Sequence, residues 1–480
     1  MGAGGAKAQG QITLNLVCTG GRYVAQFFTN QNDYTSITAT GAEGHAALTF
    51  RDGTGLGRAD LALNGKTLAG SFDLEDDRGT IRLERVGPAL GLEDMQPRLD
   101  LTPAQWRQDL KVFAAELPAR HAKAFATLSR AAFAAQVAAL DRRLPRLNGD
   151  EAYVGLDRIA NLIGDGHTNV APPRDLRRLP LKLARFGGDV RIVAAGPGLE
   201  AGLGARVLRI GKLSTEEAYR RALTLTPAQE FMPLREGRAL TYLAAGALLH
   251  GLDITADRTH APFTVQTDDR RTLTVDVRGQ APGETASLES VAKTIPLWKT
   301  HREKTFWCQD LPAERTVYCA FHAYPDLQAR AAEMFALLDK VHPQKLIIDM
   351  RDNGGGNYLE GHKWLIKPIS ERPDLNRKGR LFVLVGATTF SAAMNNAAQF
   401  QDETKAILVG QTIGERPNSY QEPRQFRLPN SHLIVRASTL FYRFRKTGEN
   451  AVRPDKEIVP SWADAKAGRD PVVDWVLAQP

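Results

Sequence analysis

Leu381-Phe382-Val383-Leu384-Val385-Gly386-Ala387-Thr388-Thr389-Phe390-Ser391-Ala392-Ala393-Met394 passes from five apolar residues through a short turn into small residues. An unbroken apolar run of this length is the pattern of a strand covered on both faces. Ser391 stands where that strand gives way to a helix. There, free backbone N–H groups and the positive end of the helix dipole favour an anion. An ordinary N-capping serine would read the same way. Lys345–Met350 and Ala406–Gly410 are two more runs of the same kind, and Ala331–Val341 has helical spacing. Apolar strands separated by helical intervals imply crossover connections. Residues 290–480 are therefore read as an α/β core with a mostly parallel sheet.

The first of these strands ends in Arg351-Asp352-Asn353-Gly354-Gly355-Gly356-Asn357. Three glycines let backbone N–H groups face a site with no side chain in the way, as an oxyanion hole requires. A plain flexible turn is the competing reading. Asp349, Arg351 and Asn353 read as side chains that fix this loop.

Upstream the pattern changes three times. Residues 9–95 carry short alternating runs such as Ile12–Leu16, Ala47–Phe50 and Thr80–Leu83, the signature of an N-terminal antiparallel β domain. Residues 98–172 are rich in Ala, Leu and Arg at helical spacing. Thr102-Pro103 is a helix start, and the segment ends at the Gly164-Asp165-Gly166 turn before His167. Residues 175–285 return to strands, with helices at Thr215–Leu223 and Leu240–Leu249, and form a small β-rich module that is PDZ-like on one reading.

The bulk composition excludes several classes. Of 480 residues 43% are hydrophobic and 24% charged, the balance of a globular protein. The net charge of +8 is spread thinly, with no basic stripe interleaved with aromatics, so nucleic-acid binding is not expected. No apolar stretch is long enough to span a bilayer. Met1–Gly10 is small and polar, the remnant of a tag or of a processed leader. Ala6, Lys7 and Ala8 fit a signal-cleavage pattern without the apolar segment that should precede it. A periplasmic or secreted location is expected. There are three cysteines. Cys308 and Cys319 flank a turn at Leu311-Pro312-Ala313-Glu314, and a hairpin centred there sets them opposite each other. A disulfide and two buried thiols are both open. Cys18 has no evident partner.

Three blocks in order, "LIIDMRDNGGGN" (346–357), "LFVLVGATTFSAAMNNAAQF" (381–400) and "AILVGQTIGERPNSYQE" (406–422), resemble the C-terminal-processing (tail-specific) serine protease family, which includes the tricorn core protease and the retinoid-binding repeats. Leu162–Val170 and Glu449–Ile458 extend the resemblance to most of the C-terminal two-thirds. The resemblance implies Ser391 as nucleophile, with the N–H groups of Gly355 and Ala392 as oxyanion donors. In one branch of the family a lysine after the third strand activates the serine. Glu415 holds that place here, and the neighbouring Arg416 cannot deprotonate. The tricorn-like branch uses histidine and glutamate, matched by His167 and by Glu449 in Glu449-Asn450-Ala451-Val452-Arg453-Pro454-Asp455. Gly166 stands where that branch has a serine. His167 would be the general base and Glu449 its orienting carboxylate, with Glu415 as the alternative carboxylate.

Gly354, Gly356, Glu415 and Tyr420 are expected to line the site. The implied activity is a serine peptidase acting on a peptide or protein, a C-terminal segment among the options, without metal or organic cofactor. An esterase, lactonase or acyltransferase acting on a small acyl substrate is the alternative enzyme. A non-catalytic ligand-binding protein of the same fold is the alternative of a different class. Nothing in the sequence fixes the oligomeric state.

Overall fold

The computed structural model describes residues 12–19, 22–29, 33–34, 37–40, 44–51, 56–74, 77–84, 96–445 and 450–480. Cys18 lies in the strand Ile12–Thr19, whose side chains are outside that description, as is Glu449.

The chain is an α/β protein, with four sheets among the described residues. The first is an antiparallel meander from Ile12–Thr19 to Asp77–Glu84. Three helices follow: Pro103–Arg120, Arg130–Arg143 and Gly149–Asn161. Thr102 caps the first through a reciprocal capping box with Gln105, with proline in the first turn. Asn148 and Glu151 build the same box on the third. That third helix is buried along most of its length and leads straight into the Gly164–His167 turn.

The second sheet is antiparallel, ordered Leu181–Phe186, Asp189–Ala195, Arg206–Ile210, His260–Gln266 and Thr272–Arg278. The single helix expected over Leu240–Leu249 is instead two, Met232–Tyr242 and Gly246–Gly251. The break has a cause: the N–H groups of Gly246 and Ala247 donate to the carbonyls of Arg177 and Leu176, which start the second helix afresh.

The third sheet carries the centre of the fold. Phe306–Leu311 and Thr316–Phe321 form an antiparallel hairpin. Lys345–Asp349, Leu381–Val385, Ile407–Gly410 and Lys456–Glu457 then add in parallel. Every residue of Lys345–Asp349 and Leu381–Val385 is buried, because both faces are covered. Leu346, Ile348, Leu381, Val383 and Val385 pack with the helices Leu327–Val341 and Ala392–Glu403. The alternate residues Ile347, Phe382 and Leu384 meet Val472, Val473 and Val476 of the C-terminal helix on the other side. Cys308 and Cys319 are paired in register in the hairpin and joined by a disulfide, with Cα atoms 4.0 Å apart.

The fourth sheet joins the halves of the molecule. The long hairpin Asn418–Arg427 and Ile434–Arg443 takes as its third strand Asn169–Val170, which starts two residues after His167. Among the described residues, no helix is long and apolar enough to cross a membrane.

Candidate active site

Ser391 is the residue that turns the strand Leu381–Val385 into the helix Ala392–Glu403. Its backbone has φ +55° and ψ −125°, a conformation that L residues rarely adopt. The approach to it is tied down by threonines. Thr389 Oγ1 donates to Met350 O at 2.8 Å and Thr388 Oγ1 to Arg351 O at 2.7 Å. Phe390 N–H donates to Asn353 O at 3.0 Å. The serine turn and the glycine loop are thus laced together.

Gly355 lies directly against the serine. Its φ is +107°, and a Cβ there would sit 2.6 Å from Ser391 Cβ and 3.2 Å from Ala392 N. Only glycine fits on both counts. Its N–H, expected to face an oxyanion, donates to Asn353 Oδ1 at 2.9 Å. Asn353 closes its own loop two residues on, the habit of an Asx turn. Ala392 is the first residue of its helix, where a backbone N–H has no acceptor within the helix. Gly354 is exposed, and Gly356 packs on Tyr324. Asp349, Arg351 and Asn353 hold the loop from beneath: the Arg351 guanidinium pairs with Asp349 at 2.6 Å and with Asp470 at 2.7 Å.

His167 comes from the other half of the chain. Its Nε2 lies 3.1 Å from Ser391 Oγ across 224 residues of sequence. Asp165 builds the turn that carries it. Asp165 Oδ1 accepts the N–H groups of His167 (3.1 Å) and Thr168 (2.9 Å) and the hydroxyl of Ser438 (2.6 Å). Its other oxygen meets His121 Nε2 at 2.9 Å. His121 Nδ1 accepts the Lys123 N–H, so Nε2 carries the proton donated to Asp165. The His167 ring stacks on Phe390 at 4.6 Å, and the Arg238 guanidinium lies over the same phenyl ring at 5.1 Å. Gly166 is explained by this stack: a Cβ there would meet Phe390 Cε2 at 2.9 Å.

Among the described residues, the carboxylate facing His167 is Glu415. Its Oε1 lies 3.3 Å from His167 Nδ1, not aligned as a hydrogen bond, and neither atom has another hydrogen-bond partner. Its Oε2 accepts the backbone N–H of Ser391. Glu449, expected from sequence to hold this place, lies outside the described residues; its neighbour Asn450 bonds the backbone of Asn418 on both sides. Tyr420 packs on His121 (5.1 Å) and Phe441 (4.9 Å), behind the Asp165 turn.

Burial dominates the electrostatics. It lowers the His167 pKa to about 4, with Arg238 and Arg436 adding to the effect against Asp165. The imidazole is therefore neutral at ordinary pH and free to accept a proton. Burial, together with the charge of Glu230, pushes the Glu415 carboxyl well above the usual carboxylate range. Asp165, Glu230, Phe390 and Arg238 were not among the expected site residues. Only Asp165 had a sequence signal, its place two residues before the histidine in a glycine-flanked turn.

No protein-family model matches this chain, and no curated protein matches it in sequence. Solved structures do match it in shape. Mature CPAF complexed with lactacystin is 11% identical over 78% of this chain and 97% of that one, with a TM-score of 0.54. A point variant of CPAF gives 11% identity, 79% and 98% coverage and a TM-score of 0.55. The tricorn protease, 14% identical over 94% of this chain and 45% of its own, has a TM-score of 0.36, too distant to carry weight. At these identities the likeness is one of architecture: the chain has the fold of CPAF, in keeping with the C-terminal-processing serine proteases that its sequence blocks resemble.

Proposed function

We propose that this chain is a serine hydrolase, and within that class a tail-specific-type peptidase that cleaves amide bonds through an acyl-enzyme on Ser391. The observation that carries the reading is the 3.1 Å approach of His167 Nε2 to Ser391 Oγ. A hydroxyl and a neutral imidazole at that distance form a nucleophile–base pair.

Ser391 Oγ attacks the substrate carbonyl carbon as its proton passes to His167 Nε2. That transfer needs an imidazole protonated on Nδ1, and Glu415 Oε1, when ionised, accepts that proton's hydrogen bond and stabilises the imidazolium. The carbonyl oxygen, now an anion, is received by the Ala392 N–H at the helix N-terminus, with the Gly355 N–H turning from Asn353 to join it. His167 then protonates the leaving nitrogen, and the C–N bond breaks. Water, deprotonated by His167, releases the acid and restores the serine.

A peptide or protein substrate is favoured over a small acyl substrate by the likeness in fold to the protease structures. A periplasmic or secreted setting is supported by the Cys308–Cys319 disulfide, since such bonds persist in oxidising compartments. The test is covalent. A fluorophosphonate probe should label Ser391 in the wild-type protein, as mapped by peptide mass, and leave Ser391→Ala unlabelled. Labelling at a different residue would sink the assignment. Turnover of esters without any turnover of peptides would move the reading to an esterase.

A further inference from the structure

The loops that carry His167 and Glu415 do not touch through their own backbones in any bond described above, yet their side chains must meet to within one hydrogen bond. The segment Pro227–Phe231 lies between them. On one side, Ala228 N–H donates to Asn161 O at 3.1 Å and Gln229 N–H to Gly164 O at 3.1 Å. On the other, Phe231 N–H donates to Gly414 O at 2.9 Å, and Arg416 Nε donates to Gln229 O. The Arg416 guanidinium also covers the Phe231 ring at 4.2 Å.

Glu230, at the centre of this strap, is 5% exposed. Its two carboxylate oxygens go to different loops. Oε1 accepts the Gly166 N–H at 3.1 Å, one residue before His167. Oε2 accepts the Arg416 N–H at 2.8 Å, one residue after Glu415. When Glu230 is ionised, each bond is charge-assisted and shielded from water, so each is stronger than an ordinary amide bond.

We propose that Glu230 is a positioning residue: its carboxylate clamps the histidine loop to the Glu415 loop and sets the separation at which imidazole and carboxylate meet. The proposal rests on the serine-hydrolase reading for its consequence, and on Glu230's two bonds for its substance. Glu230 also acts on charge. Glu415 faces His167, Glu230, Asp165 and Arg238; the two acidic neighbours raise its pKa and Arg238 lowers it, with burial the largest influence. Glu230 itself faces Asp165, Arg416 and the two amides, and burial raises it to about 7. Because Glu415 works ionised, activity falls as pH drops through its raised pKa. Removing the charge at 230 lets Glu415 ionise at lower pH.

The experiment measures fluorophosphonate labelling of Ser391 against pH in wild type, Glu230→Gln and Glu230→Asp, with melting curves for each. Glutamine offers one acceptor and no charge. The plateau rate should fall on the order of 100-fold, the cost of misplacing reacting groups by about 1 Å, and the acid limb should move to lower pH. Aspartate keeps the charge but is too short to reach both amides. Its plateau should fall while its acid limb stays. Wild-type rates and limb in Glu230→Gln, or an unaffected plateau in Glu230→Asp, would overturn the clamp. So would a loss that only tracks unfolding, with the limb unmoved. Should the glutamine variant not fold, the aspartate variant decides. The hydrolase reading fails separately, if wild type is not labelled at Ser391. The clamp is then read from hydrogen exchange of the Gly166 and Arg416 amides, at least one of which must lose protection in both variants; unchanged protection of both overturns it.

Discussion

Arg351 and Glu415 both lie beyond the carboxyl ends of strands in the central sheet, and both are withdrawn from water. Around Arg351 the charges are matched. Asp349 and Asp470 each take part of its guanidinium, Tyr318 donates to Asp349 at 2.7 Å, and Trp298 lies against the cation. Around Glu415 they are not. It faces the neutral His167 imidazole, Glu230 and Asp165 add like charge that Arg238 offsets only in part, and both His167 and Glu415 are driven toward their neutral forms. A matched buried cluster holds a shape. An unmatched one stores a proton-transfer potential, which is where perturbed groups with a chemical task are expected.

Four substitutions test how far that contrast extends. Ser391→Ala has the largest expected effect, a loss on the order of a million-fold in turnover, as when a triad nucleophile is removed. Its melting temperature should change little, since alanine keeps the same backbone and only the hydroxyl's contact with His167 is lost. Glu415→Gln comes next. The amide cannot hold the Nδ1 proton as a carboxylate does, so turnover should drop on the order of 10,000-fold, with the melting temperature unchanged or raised because a buried, unmatched carboxyl is gone. A large drop in stability with activity retained would erase the contrast. Arg351→Met should behave in the opposite way: leaving Asp349 and Asp470 buried without their cation should cost about 3–5 kcal/mol in urea denaturation. Gly166→Ala has the smallest effect. The added methyl pushes the Phe390 ring from beneath His167, costing about 1–3 kcal/mol and slowing labelling of Ser391.

The matched cluster was the more legible in sequence. Asp349, Arg351 and Asn353 lie within five residues of one another at a strand end, so local spacing alone suggests that they brace the glycine loop. The parallel strands were visible as unbroken apolar runs, and the Cys308–Cys319 register followed from symmetry about the turn. The site was legible only in part. Ser391 and His167 could be named only through the resemblance of the blocks that contain them, since a capping serine and a structural histidine read the same in isolation. The choice between Glu449 and Glu415 could not, because it depends on where a loop runs after its strand. Glu230 had no signal at all, and nothing in the block that holds Phe390 marked it as a platform for the imidazole. Each acts through a single contact made in three dimensions, and neither spacing nor composition records such contacts. The helix drawn through Leu240–Leu249 failed for a similar reason: the bonds that split it come from residues near 177, far upstream.

The strand Asn169–Val170 seats the first half of the chain on a hairpin contributed by the last quarter. On the hydrolase reading, this seam gives the molecule a built-in latency. As the chain leaves the ribosome or crosses a membrane unfolded, the imidazole emerges long before the hydroxyl it serves, and neither fragment can cut anything. Competence arrives only when the hairpin Asn418–Arg443 has folded back onto Asn169–Val170, so the polypeptide is harmless in transit and armed once that seam closes.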